Sequence, residues 1–141
     1  MAVEENKAIV RRFYEGLNQR NLAVVDELIA GNFVANLGGL EDIRGPEGVK
    51  GNIATFLTAF PDLHRAIEDM VAEGDKVVIR LTVTGTHQGE FAGIAPTGKQ
   101  VTWAVITINR VVGGKCVETW EVIDMLGLLQ QLGAIPAPGQ G

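Results

Sequence analysis

Cysteine and histidine are scarce in this chain, and their scarcity removes several kinds of functional site. The single cysteine, Cys116, cannot form an intrachain disulfide, and the two histidines, His64 and His87, show no zinc-ligand spacing. The glycines do not form a phosphate-binding loop, and no nucleophile elbow or Ser-His-Asp set is evident. We therefore expect a protein that works without a metal and without a cofactor.

Long apolar runs and basic clusters are also missing. No apolar run approaches the roughly 20 residues of a membrane span, and the N-terminus lacks the apolar segment of a signal peptide. The 17 acidic and 12 basic residues give a net charge of −5, and the basic ones are scattered. These features predict a cytoplasmic protein that binds neither membranes nor nucleic acid.

Apolar residues are abundant. The chain is 46% hydrophobic with a mean hydropathy of +0.16, which is high for a soluble protein of 141 residues. This excess favours the wall of an internal cavity, a buried oligomer face, or both.

The predicted elements run from helices to strands. Ile9, Phe13 and Leu17 recur every four residues and predict a first helix, and Asn21 can begin a second. Pro46 opens a third helix. A short strand over 33–37 precedes that helix, and later segments predict strands over 63–72, 76–88, 100–112 and 115–124 and a helix over 125–132.

This order predicts one α+β domain over residues 1–141 with loose ends at 1–5 and 134–141. A curved antiparallel sheet packed against the N-terminal helices would enclose a cone-shaped pocket. The polar residues of the pocket would come from strand positions that face the helices.

Asp124 is the first candidate for chemistry. Strand alternation places Trp120, Val122 and Asp124 on one face, where an ionised carboxylate is costly unless it is paired or reactive. Asp124 could therefore be a general base with a raised pKa. The local sequence favours a second interpretation, in which Asp124 caps the helix that begins at Met125.

Arg80 and His87 each allow a structural and a functional interpretation. Arg80 lies in a strand rich in β-branched residues, where it could form a salt bridge with Asp69 or Glu118, or orient a substrate. His87 lies at a strand end, where it could polarise a substrate carbonyl or be a hydrogen-bonded structural histidine.

Four further residues could contact a ligand. Tyr14 is the only tyrosine and lies near the inner face of the first helix, where core packing is the simpler explanation. Trp103 and Trp120 could be core residues or the flat wall of a binding site. Asn36 could bind a ligand or end the first strand.

With these residues identified, the chain resembles the SnoaL-like polyketide cyclases, or ester cyclases, of the NTF2-like superfamily. The resemblance spans Asn6 to Gly133. It is carried by Arg12-Phe13-Tyr14-Glu15, Phe60-Pro61-Asp62-Leu63, the block from Gly85-Thr86-His87 to Gly98-Lys99, and the block from Trp120-Glu121-Val122-Ile123-Asp124 to Gln131-Leu132-Gly133.

The resemblance implies a cofactor-independent cyclase that performs an intramolecular aldol condensation on an aromatic polyketide or a similar small hydrophobic carbonyl compound, such as a polycyclic aromatic one. It also implies a homodimer or homotetramer built through the sheet. The catalytic aspartate of the family falls on Asp124 and its histidine on His87, with a pocket tyrosine at Tyr14 and a pocket asparagine at Asn36.

Three other functions remain open from the sequence. An isomerase would use the same base with a second oxyanion donor. An epoxide hydrolase would pair Asp124 with Arg80 and another acid. A non-catalytic ligand-binding or dimerisation module would use the cavity alone.

Overall fold

The structure, a computed structural model, describes residues 2–136 as helices packed on one sheet. In chain order the elements are α1 Ala2–Asn18, α2 Ala23–Leu28, β1 Ile29–Asn36, β2 Ile43–Arg44, α3 Gly45–Ala59, β3 His64–Glu73, β4 Lys76–Thr86, β5 Gln100–Val112, β6 Lys115–Ile123 and α4 Met125–Gln131.

The six strands form a curved, unclosed sheet in the order β2-β1-β6-β5-β4-β3. Antiparallel pairs join β3 to β4, β4 to β5 and β5 to β6. β1 pairs with β6 in parallel, which the prediction of an antiparallel sheet did not include. The parallel pair arises because the chain leaves β1, passes through α3 and builds β3 to β5 before β6 returns beside it. The α+β class is confirmed.

The N-terminal helices cover the concave face of the sheet. α1 buries Val10, Tyr14 and Leu17, and α2 buries Val24, Val25 and Leu28. The two helices approach closely at Gly16, where a Cβ atom would come within 2.5 Å of a Val24 methyl group. A glycine is therefore required at this crossing.

Strand register decides which side chains face the helices. Along β5 the buried and exposed residues alternate, and Thr107 and Asn109 are on the buried face. These two residues pair with Glu121 and Thr119 of β6, because paired residues share a face of the sheet. Glu121 and Thr119 therefore face the helices.

The opposite face of β6 is the outer surface of the sheet. Trp120 pairs with Ile108 and Val122 with Ile106, and Val122 keeps 72% of its surface exposed. The prediction that these side chains enclose Asp124 on a buried apolar face is therefore wrong.

Some predicted boundaries agree with the structure. β5, which is dense in β-branched residues, has the predicted bounds of 100–112. α4 begins at Met125 as predicted. β1 begins at Ile29 rather than 33, because an irregular register lets Gly31 and Asn32 continue the strand.

The sequence predicts loose ends at both termini of the chain. Residues 2–5 belong to α1 rather than to a loose end. The sequence also predicts a loose end at 134–141. Residues 137–141 of this segment lie outside the described part of the chain.

Candidate functional site

A cavity lies between the helices and the concave face of the sheet. Its volume is about 100 Å³. Apolar residues of the helices, β1 and β2 form most of its wall, and polar residues of α1, α3, β3, β5 and β6 form most of the remainder. The lining residues are Ile9, Val10, Phe13, Tyr14, Leu17, Leu28, Ile29, Phe33, Ala35, Ile43, Val49, Asn52, Ile53, Arg65, Asn109, Cys116, Thr119 and Glu121.

Hydrogen-bonded polar residues of β5 and β6 support this cavity. The Asn109 amide donates to the Thr107 hydroxyl at 2.8 Å and to the Val77 carbonyl at 3.3 Å. The Thr119 hydroxyl donates to the Asn109 amide oxygen at 2.9 Å. Because these groups are buried and satisfied, they hold the inner face in one arrangement.

Glu121 is the carboxylate of the cavity. Within residues 2–136 its side chain has neither a hydrogen bond nor an ion pair, so its oxygen atoms are available to a ligand. Burial raises the pKa of the Glu121 carboxyl, and the positive charge of Arg65 partly opposes this effect. A carboxylate with these properties is suited to accept a proton.

Tyr14 supplies a hydroxyl to the same cavity. Burial raises the pKa of Tyr14, the negative charge of Glu121 raises it further, and a hydrogen bond with Thr107 lowers it. Tyr14 therefore keeps its proton at neutral pH and can donate a hydrogen bond to an oxygen atom of a ligand.

Asn52 and Arg65 complete the polar lining. Asn52 reaches the cavity from α3, and within residues 2–136 its side-chain amide has no hydrogen-bond partner. Arg65 reaches it from β3, where the Asn18 side chain bonds the Arg65 backbone N–H at 2.9 Å and the carbonyl at 2.8 Å. Burial lowers the pKa of the Arg65 guanidinium, and the negative charge of Glu121 opposes this.

Asp124 lies outside this cavity. Its exposed side chain accepts a hydrogen bond from the Gly127 N–H at 2.9 Å and caps α4. The capping interpretation is confirmed, whereas the role of general base stays a prediction that this position does not favour.

His87 is fully buried, away from the cavity lining. Its Nδ1 accepts from the Thr97 N–H at 3.2 Å and lies 3.0 Å from the Thr97 hydroxyl. Its backbone bonds to Gly98 and Lys99, so His87 holds the ends of the loop between β4 and β5 together. Its Nε2 has no partner within residues 2–136, and its ring packs 5.6 Å from that of Phe60.

The two tryptophans are on opposite faces of the sheet. Trp103 is buried against Phe60 and Phe56, with ring centroids 5.2 and 6.3 Å away, and does not line the cavity. Trp120 is 37% exposed on the outer face. The predicted wall of two indole rings is therefore wrong.

Asn36 and Arg80 are also directed away from the cavity. The Asn36 amide donates to the Glu118 carboxylate at 3.1 Å and to the Thr119 carbonyl at 3.2 Å. Arg80 is exposed and donates to the Asp69 carboxylate at 2.7 Å, which confirms the salt-bridge interpretation. Neither residue is placed to bind a ligand in this cavity.

Of the predicted site residues, only Tyr14 lines the cavity, and sequence analysis missed Glu121, Asn52 and Arg65. Glu121 could have been found from its pairing with β5, where Thr107 and Asn109 interrupt an apolar face. The apolar residues Trp120 and Val122 concealed this signal, because they made the outer face of β6 look like the inner one.

The described part of the chain has neither a cluster of metal ligands nor a membrane-spanning helix. Residues 2–136 bring together no group of three histidine, cysteine or carboxylate side chains that could hold a metal ion. The same residues form no helix with the length and hydropathy needed to cross a membrane.

The open sheet with helices over its concave face defines an NTF2-like α+β fold, and Tyr14 and Glu121 are among the residues that line its cavity. An NTF2-like protein from Burkholderia pseudomallei shares this fold with a TM-score of 0.76 at 18% identity. The chain belongs to the SnoaL-like polyketide cyclases, because the model of that family matches residues 7–132.

Individual relatives agree with this family. The chain is 34% identical over 134 residues to AcmA, the aklanonic acid methyl ester cyclase of Streptomyces galilaeus, covering 93% of this chain and 92% of AcmA. AclR from the same organism, provisionally described as a hydroxylase, superimposes with a TM-score of 0.86 at 36% identity, covering 96% and 85% of the two chains. A SnoaL-like protein from Jannaschia also gives 0.86, at 26% identity over 95% of both chains.

Proposed function

We propose that this protein is a polyketide cyclase that closes a ring by intramolecular aldol condensation, with Glu121 as its general base. The observation that carries the proposal is the Glu121 carboxylate, which lines the cavity, has no partner within residues 2–136 and has a pKa raised by burial. The curated relatives, which are named as aklanonic acid methyl ester cyclases, support the class of substrate.

The reaction begins with the loss of an acidic proton. Glu121 takes the proton from a substrate carbon that lies between two carbonyl groups, and the electron pair of the C–H bond passes into an enolate. Tyr14 donates a hydrogen bond to the enolate oxygen. The amide of Asn52 is available to the second carbonyl group.

Bond formation follows within the same cavity. The enolate carbon attacks the second carbonyl carbon, a C–C bond forms, and the new alkoxide takes back the proton held by Glu121. Proton transfer by one such group typically contributes about 10²–10⁴-fold to the rate. Holding the two reacting carbons together contributes further, up to about 7–11 kcal/mol for an ideally oriented pair. No cofactor is needed for these steps.

The size of the cavity limits how a substrate binds. Its volume of about 100 Å³ is smaller than the roughly 300–1,000 Å³ of typical ligand sites. A polycyclic substrate must therefore extend through the mouth or displace part of the wall. Among the helices that line the cavity we expect α3 to move most easily, because only Ile53 and Ala59 of its 15 residues are buried.

The outer face of the sheet supports a homodimer. Val71, Val78, Ile108 and Trp120 are successive register partners across β3, β4, β5 and β6, so they form one apolar row. A second row pairs Asp69, Arg80, Ile106 and Val122, and places an exposed salt bridge beside exposed apolar residues. A contiguous apolar patch of this kind is typical of a protein interface, and we assign it to a second copy of this chain.

A product assay tests the proposed activity. We would incubate the protein with aklanonic acid methyl ester and with a single-ring 1,3-diketone that carries a second ketone, and analyse products by mass spectrometry and NMR. Because an aldol closure only rearranges atoms, the expected product has the mass of the substrate and a new C–C bond. A product with one added oxygen atom would contradict the proposal and favour a hydroxylase, as AclR is described.

The matched variants are Glu121→Gln and Asp124→Asn. Glutamine keeps the size of Glu121 but cannot accept the proton, so cyclisation should fall by about 10²–10⁴-fold. Asparagine can still cap α4, so cyclisation by Asp124→Asn should remain close to that of the wild type. The reverse order of the two activities would return the role of base to Asp124.

A further inference from the structure

A cleft opens beside the end of β6, next to the cavity. It has a volume of about 130 Å³ and lies between the turn that follows β1 and the junction of β6 with α4. Leu37 and Leu40 line it from the turn, and Ile123 and Met125 line it from the junction. Among residues 2–136, Glu121 alone lines both the cleft and the cavity, so the proposed base lies between the two spaces.

The inner face of the sheet continues from the cavity into the cleft. Glu121 pairs with Thr107 and Ile123 pairs with Val105, and both partners in β5 are buried. Glu121 and Ile123 are therefore on the same, inner face. The parallel pairing of β1 with β6 extends to Asn36, so the turn after Asn36 runs beside Glu121 and the residues that follow it.

Leu40 forms an apolar wall of the cleft that burial in the core does not explain, because 57% of its surface is exposed. Its position is set by a tight turn. The Leu40 N–H donates to the Gly38 carbonyl at 2.6 Å, and Gly38 and Gly39 have φ angles of 55° and 52°, in the left-handed region that favours glycine. Single exposed leucines are common on protein surfaces, but this one lines a cleft that reaches the proposed base.

The cleft supplies the space that the cavity lacks. The cavity has about 100 Å³, less than typical ligand sites, and the cleft more than doubles the volume next to Glu121. A flat apolar ring placed against Leu37, Leu40 and Met125 removes apolar surface of both partners from water, which favours binding.

We propose that the cleft binds the fused ring system of the substrate, and that Leu40 is a specificity-determining residue that favours substrates with more than one ring. The reacting part of the substrate then enters the cavity, where Tyr14 and Asn52 face its carbonyl groups, and the carbon that loses a proton lies beside Glu121. The inference rests on the proposed function, because it assigns a substrate class to the same site.

A matched pair of ligands tests the inference without turnover. The probes are 1-phenylbutane-1,3-dione and 1-(2-naphthyl)butane-1,3-dione, which share a diketone group and differ by one fused ring. Neither carries a further ketone, so neither can cyclise. We expect the wild type to bind the naphthyl compound about tenfold more tightly, as measured by calorimetry, because the second ring is buried in the cleft.

Leu40→Gln should reduce this preference to about twofold or less, because a bound ring would remove water from the new amide group. Leu126→Gln is the matched control. Leu126 is an α4 residue with 58% of its surface exposed, and it lines neither the cleft nor the cavity among residues 2–136. The preference should be unchanged in this variant.

The methionine methyl groups report where the ring lies. With ¹³C-labelled methionine methyl groups, the naphthyl compound should shift the NMR signal of Met125, which lines the cleft. The signal of Met70 should stay in place, because Met70 is in β3 at the opposite edge of the sheet. This measurement uses the wild type and does not depend on the folding of any variant.

The outcomes separate the inference from the proposed function. Binding of the naphthyl compound without a shift of the Met125 signal, or a preference that is unchanged in Leu40→Gln, overturns the cleft as the ring site and leaves Glu121 as the base. Failure of both compounds to bind overturns the cavity as the substrate site, and the inference with it. A Met125 shift with the expected preference, in a protein that forms no cyclised product, supports the ring site and overturns the cyclase.

Discussion

Glu121 and Asp124 are three residues apart in the chain, and their surroundings give the two carboxylates different chemistry. Asp124 accepts a backbone N–H of α4 and is exposed to water. Within residues 2–136 no donor forms a hydrogen bond with the Glu121 carboxylate, and burial raises its pKa. The raised pKa suits Glu121 to accept a proton, and the helix cap is the role that the structure gives to Asp124.

The ionisation of Tyr14 can be measured directly and reports on the cavity that this residue lines. It is the only tyrosine, so the phenolate absorption band of the folded protein reports this residue alone. Because burial and Glu121 raise the pKa of Tyr14, we expect no phenolate in the folded protein as the pH passes its usual value of 10.0. Absorbance followed during an alkaline titration checks this.

The unfolded chain is the control for that titration. In concentrated denaturant Tyr14 should ionise near pH 10, as in a model peptide. The folded state then holds a proton that the unfolded chain has lost, so stability is complete below about pH 10 and decreases as the pH rises above it. A folded-state titration at the usual value would show that Tyr14 is not buried in the cavity.

At the residue scale, sequence analysis located the polar strand but not the face. The sequence-predicted base, Asp124, and the cavity residue Glu121 lie in the same block, from Trp120 to Asp124. Both faces of β6 carry apolar side chains, however, so alternation alone could not decide which of Glu121 and Asp124 is inside. The pairing of Glu121 with Thr107 decides it, and register is a property of the sheet rather than of one strand.

At the scale of elements, the loop after β4 is attached to the end of α3. The N–H groups of Gln88 and Gly89 both donate to the Ala59 carbonyl, at 2.9 and 3.1 Å. A Cβ atom on Gly89 would lie 2.0 Å from the Thr58 carbonyl oxygen, which no side chain can accommodate. This contact joins the loop to a helix that lines the cavity.

Gly89→Ala should therefore destabilise the protein by about 1–3 kcal/mol, as overpacking of a tight contact does. Gly51→Ala is the matched control, because Gly51 is exposed inside α3 with nothing within 4 Å of its added methyl group. It should stabilise the helix by about 0.8–1 kcal/mol. Urea unfolding measures both, and equal midpoints for the two variants would contradict the close approach at Gly89.

Elements with dense local signals were predicted well, and those built by long-range pairing were not. The runs of valine, isoleucine and threonine in β4 and β5 predicted these strands. β2 contains only Ile43 and Arg44, and it exists because it pairs with β1. A strand of two residues is too short to show the alternation of apolar and polar residues that would predict it from sequence.

At the scale of the whole molecule, the excess apolar residues lie in two places, the cavity wall and the outer face of the sheet. Some line the cavity, and others, such as Val71, Ile106 and Val122, are exposed at 61%, 47% and 72% on the outer face of the sheet. We expect the wild type to be a dimer, with twice the chain mass of 15.1 kDa. Light scattering after size-exclusion chromatography measures this.

Val122→Lys should convert the dimer to a monomer, because it places a charge on the exposed apolar face beside Ile106. Leu22→Lys is the control, since Leu22 is an exposed apolar residue at the start of α2, on the helical side of the molecule. A wild-type monomer at high protein concentration, or a Val122→Lys dimer, would exclude this face as the interface.

The measurement that tests the central claim most directly is the pH dependence of kcat/KM for cyclisation by the wild type, Glu121→Gln and Asp124→Asn. The base must be ionised to act, so wild-type activity should rise with pH through a pKa above the usual range of a glutamate, since burial raises that of Glu121. Asp124→Asn should keep this limb, and Glu121→Gln should lose it together with about 10²–10⁴-fold of the rate. A limb that persists in Glu121→Gln and vanishes in Asp124→Asn would contradict the assignment of Glu121 as the base.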